Sequence, residues 1–138
     1  MLQFTTFPMH VKSGLITLRR VLEKLPANDL LWHVLDFEGV GTAPNGMTME
    51  VFEHAVHASP EGYNLTWNNL LTLASGIEQT WNCLIVGSQF GAMIVAKHVE
   101  AENFADCCYV IQALDSTEWS IGTKNEMVDD QFMASISH

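Results

Sequence analysis

YVIQALDSTEWSIGTK, residues 109–124, decides the fold class. Tyr109–Leu114 is a short run of aromatic, β-branched and aliphatic residues, and Glu118–Lys124 alternates polar with apolar side chains. Both patterns belong to strands, and the three residues between them, Asp115-Ser116-Thr117, are turn formers, so the segment predicts an antiparallel hairpin. Upstream, WNCLIVG (residues 81–87) and LLWHVLDF (residues 30–37) read as two further buried strands. Hairpin pairing, with strands gathered toward the C-terminal half, indicates α+β in place of a doubly wound parallel sheet. The expectation is one domain over 1–138, a mainly antiparallel sheet of about four strands packed with three to four helices. Leu2–Phe7 and Met93–Val95 are candidates for additional strands.

The helices are predicted from 3.6-residue periodicity and capping signals. Val11, Leu15, Leu18, Val21, Leu22 and Leu25 make an apolar stripe over residues 11–25 that ends at Pro26, with the intervening Lys and Arg on a solvated face. Thr48 caps a second helix whose inner face is Val51, Phe52, Ala55 and Val56. Thr66 caps a third bearing Trp67, Leu70, Leu71, Ala74 and Ile77. Asn125 and Glu126 open a terminal helix.

At 138 residues, 48% hydrophobic and 16% charged, the chain is long enough for one core without staples, and disorder is excluded. No apolar run approaches a membrane span, and the first residues lack a basic segment and a cleavage site, which points to the cytoplasm. Cys83, Cys107 and Cys108 lack metal-binding spacing, and nearby Glu100, Glu102 and Asp106 disfavour a reactive thiolate. Buried, reduced thiols are expected.

The formal charge is −10, and its layout is uneven. Lys12, Arg19, Arg20 and Lys24 hold four of the six basic residues, and no Lys or Arg occurs from Leu25 to Ala96. Such a surface repels nucleic acid and anionic membranes, and it attracts a basic protein.

Catalytic motifs are missing. In DFEGVGTAPNG (residues 36–46) the glycine spacing fits neither a dinucleotide fingerprint nor a P-loop, Pro44 removes an amide donor, no lysine follows Gly46, and Asp36 and Glu38 would oppose a phosphate. A turn-rich connection ending in Asn45-Gly46 is the reading of that stretch. Glu50, Glu53, His54 and His57 share a helix face at i, i+3, i+4 spacing, a solvated face that falls short of a metal site. No serine nucleophile motif is present, so neither enzyme nor cofactor is predicted.

WHVLDFEGVGTAPNGM, LTWNNLLTLASGIEQ and IQALDSTEWSI, together with size and acidity, resemble the small acidic immunity proteins that bacteria pair with toxins of contact-dependent growth inhibition and related polymorphic-toxin systems. The resemblance implies a stoichiometric inhibitor of a basic toxin domain, a nuclease foremost. The predicted partner-binding residues are Asp36, Glu38 and Asn45 in the glycine-rich stretch and Asp115, Glu118 and Trp119 at the hairpin. The alternative is a small-ligand-binding domain or small enzyme whose pocket uses His33, His54 or His57 with a carboxylate.

Overall fold

A computed structural model of the protein describes residues 2–124. The chain runs β1 (Gln3–Pro8), β2 (His10–Val11), β3 (Gly14–Leu15), α1 (Leu18–Leu22), β4 (Leu31–Gly41), α2 (Met49–His57), β5 (Tyr63–Leu65), α3 (Trp67–Gly76), β6 (Ile77–Ser88), α4 (Ala96–Glu100), β7 (Tyr109–Leu114) and β8 (Glu118–Thr123). Among the described residues, six strands form one antiparallel sheet in the order β1-β8-β7-β6-β4-β5, and β2 and β3 form a separate small hairpin. The α+β class holds, with two more strands in the main sheet than expected. The terminal helix expected from Asn125 lies outside the described residues. Among the described residues, no helix is long and apolar enough to cross a membrane.

The predicted hairpin forms, with Leu114 opposite Glu118 across a turn at 115–117. The helix expected over 11–25 does not. Gly14, at φ +122°, lets the chain turn back so that Val11 pairs with Gly14 and His10 with Leu15, and Thr17 then caps a helix of only five residues. Leu18, Val21, Leu22 and Leu25 still enter the core, and Val11 and Leu15 pack on it from the small hairpin. A stripe with helical spacing is therefore shared between two kinds of structure. Arg19 is likewise more than a solvated side chain: its Nη1 donates to the Leu71 carbonyl and to Ser75 Oγ, both at 2.7 Å, tying α1 to α3.

Thr48 and Thr66 cap α2 and α3 as expected, accepting from the backbone N–H of Val51 and Asn69. With α1, these helices cover one face of the sheet. There Trp32 is the hub, its ring 5.3 Å from Trp67 and 5.8 Å from Tyr109, while Phe52 of α2 meets Phe37 and Tyr63 edge-on. On the opposite face, residues 94–107, with α4 inside them, cover Leu35, Leu84, Val86 and Val110 through Ile94, Val99 and Cys107. Met93–Val95 is therefore irregular cover instead of an edge strand.

Two strands are longer than their apolar runs. β4 continues through the glycine-rich stretch to Gly41, which makes that stretch sheet first and turn only from Thr42. A Cβ at Gly41 would collide with the Gly76 carbonyl, and its φ of +145° already disfavours a side chain. Ile77, read as the last residue of a helical stripe, instead starts β6. β5 pairs only with Trp32–Val34, so among the described residues the rest of β4 has no strand on that side, and α2 packs against β4.

Candidate functional site

Three register shifts between β4 and β6 shape the sheet's second face. Val34 pairs with Ile85 and Asp36 with Leu84, so Leu35 is an extra residue that reaches the second core while Asp36 stays at its margin. Glu38 pairs with Asn82 and Gly39 with Thr80, which leaves Trp81 as the extra residue on β6. Cys83 and Ile85 belong to the main core, yet Trp81 belongs to neither core and is 42% exposed.

Asn82 joins the two acidic segments. Its Nδ2–H donates to Glu38 Oε1 at 3.4 Å, and its Oδ1 accepts the Asp115 N–H at 3.0 Å. The Ser116 N–H donates to the Trp81 carbonyl at 2.8 Å, and the turn is closed by Thr117, whose N–H and hydroxyl both donate to the Leu114 carbonyl. Asp115 and Ser116 sit at φ 51° and 61°, left-handed conformations uncommon for residues other than glycine. Glu118 lies across from Leu114, on the face opposite Trp119. Asp36, Glu38, Asp115 and Glu118, distant in sequence, thus share one end of one sheet face. Trp81, Val40 and Leu114 form its exposed apolar part.

The other two predicted residues are elsewhere. Trp119 is fully buried in the main core, its Nε1–H donating to the Ile16 carbonyl at 3.0 Å, so it offers no surface to a partner. Alternation carried the signal: Trp119 and Ile121 fall on one face, Glu118 and Ser120 on the other. Asn45 lines a different cavity with Tyr63 and Asn69, its Nδ2 3.5 Å from the Tyr63 hydroxyl. Asn82 and Trp81 are the residues that sequence reasoning missed. Asn82 did leave a trace, as the polar break in the apolar run of residues 81–87.

Beside this face, a cleft of about 580 Å3 separates β4 from α2. Asp36, Phe37 and Glu38 line one side, and Glu50, Val51, Glu53, His54 and His57 the other. The helix face expected to meet only solvent is thus the wall of a cleft. Val51, expected inside, is exposed there. His57 Nε2 lies 2.9 Å from Asp36 Oδ1, an exposed pair that contributes at most about 1 kcal/mol. Among the described residues, no group of three or more His, Cys, Asp or Glu side chains is arranged to hold a metal ion.

His33 is not part of the cleft. It is buried, with Nδ1 3.1 Å from the Glu61 carbonyl and Nε2 3.1 Å from Ser88 Oγ, a satisfied core histidine. Burial lowers its pKa from the ordinary 6.5, against the hydrogen bond to the Glu61 carbonyl and the Glu61 charge, which raise it. A group that holds its proton less readily folded than unfolded leaves stability intact above the unfolded value and erodes it as pH falls through 6.5. Urea unfolding followed from pH 8 to 5 should show this loss, with a slope from His33 of at most about 1.4 kcal/mol per pH unit. His33→Gln should flatten that limb, and an unchanged slope would show that other groups produce it. Burial also raises two thiols, Cys83 to about 12 and Cys107 to about 11, as inert core cysteines require.

No protein-family model, curated protein or solved structure matches the chain.

Proposed function

We propose that the protein is a toxin-neutralising immunity protein, which binds a basic partner domain one to one on the acidic end of its sheet. The observation that carries this reading is the Asn82 bridge, which draws Glu38 and the Asp115 turn together around an exposed tryptophan. Aromatic side chains supply desolvated anchor area, and a surrounding acidic field speeds encounter with a cationic surface and rejects others. A nuclease suits such an inhibitor, because the Lys and Arg residues that hold phosphates would meet carboxylates instead. The sequence resemblance to immunity proteins adds the same partner class, acting in the cytoplasm.

The test is coexpression with the product of the adjacent upstream reading frame. The expected result is a stable one-to-one complex in size-exclusion chromatography that weakens as salt is raised. No complex at low salt would end the reading. A second reading, a small-ligand domain, is favoured by His54 and His57 beside four carboxylates in the α2–β4 cleft. A thermal shift produced by a metabolite or metal salt, with no protein partner, would support it.

A further inference from the structure

We propose that Trp81, with Glu38 and the Asp115 turn beside it, receives an arginine side chain of the basic partner. This rests on the sheet face being the docking surface, and it names the side chain that the face selects. None of the six strands of the main sheet contains a Lys or Arg, and none occurs in α2. An exposed tryptophan therefore lies among carboxylates on strands that carry no lysine or arginine of their own. Tryptophan is the strongest aromatic acceptor of a cation.

Local hydrogen bonds hold this arrangement in place. The Trp81 carbonyl is fixed by the Ser116 N–H, and Asn82 spends its amide on Glu38 Oε1 and the Asp115 N–H. Glu38 Oε2 has no partner among the described residues. An incoming guanidinium would lie flat on the indole and direct its N–H fork at a carboxylate, two contacts that its planar, weakly hydrated head makes together. A lysine ammonium, compact and strongly hydrated, would gain the field but not the stacking. Val40 and Leu114, 40% and 39% exposed, extend an apolar surface on which the arginine methylenes can rest.

The test uses two capped peptides, Ac-Gly-Arg-Gly-Arg-Gly-NH2 and its lysine counterpart, titrated into 15N-labelled protein. Trp81 is the exposed indole among four, so its ring N–H signal reports on the site while those of Trp32, Trp67 and Trp119 report on the fold. The expected result is a shift of the Trp81 signal by the arginine peptide, with binding about three- to fivefold tighter than for the lysine peptide. Trp81→Leu should erase the difference while leaving the three buried indoles unmoved, and Trp81→Tyr should retain part of it. Equal binding of the two peptides, or an arginine preference that survives Trp81→Leu, would overturn the arginine assignment. Equal, salt-sensitive binding would do so while leaving the basic-partner reading intact, because complex formation with the neighbouring gene product tests that reading separately.

Discussion

Trp119→Ala should lower the unfolding free energy by about 3–5 kcal/mol. The indole fills the main core under the small N-terminal hairpin, and its ring N–H satisfies the Ile16 carbonyl. Truncation leaves both a cavity and a buried acceptor without its donor. For a domain whose total stability is of order 5–15 kcal/mol, that is a large share, visible as a lower urea midpoint. Trp81→Ala should change stability by no more than about 1 kcal/mol, as expected for a partly exposed side chain outside both cores. Measured in parallel by chemical denaturation, the two tryptophans should therefore separate cleanly, one needed for stability and the other dispensable for it. Comparable losses from both would refute the placement of Trp81 outside both cores.

Reversal of Asp36, Glu38, Asp115 and Glu118 to lysine should weaken partner binding by at least about a hundredfold, and growth protection should fail. Each reversal adds two charges, so the four together move the formal charge from −10 to −2. The control variant reverses Asp29, Glu61, Glu100 and Glu102, carries the same net charge, and leaves the face around Trp81 unaltered. If binding depends on the place of the charges, the control keeps most of its affinity in calorimetric titration. If only total charge matters, both variants lose equally and the assignment of the interface fails.

Sequence patterns located the central strands because their apolar runs are bounded by strong turn formers, as at Asp115-Ser116-Thr117. They misplaced α1 because periodicity records which side chains are buried and not which backbone buries them. Val11 and Leu15 reach the same core from a two-residue hairpin that Gly14 permits. β5 has only three residues, Tyr63–Leu65, too few to show a period, and its pairing depends on β4. At the candidate site, charge layout singled out Asp36, Glu38, Asp115 and Glu118, which the fold then brings to one sheet face. The choice between Trp81 and Trp119 was not legible, because alternation counted back from Cys83 and Ile85 puts Trp81 inside. The shift that turns it outward arises from the pairing of β6 with β4. Asn82, whose two hydrogen bonds join segments far apart in the chain, could be recognised as a bridge only once both ends were in place.

Helix α2 lies along the part of β4 that β5 leaves unpaired, and this has a consequence for self-association. A bare strand edge is a template for a second copy of the same chain. Two copies pairing there would bring Asp36 and Glu38 of one against the same carboxylates of the other, with no strand lysine or arginine to offset them. At this edge, the carboxylates proposed to draw in a foreign basic domain also oppose the pairing of two identical strands.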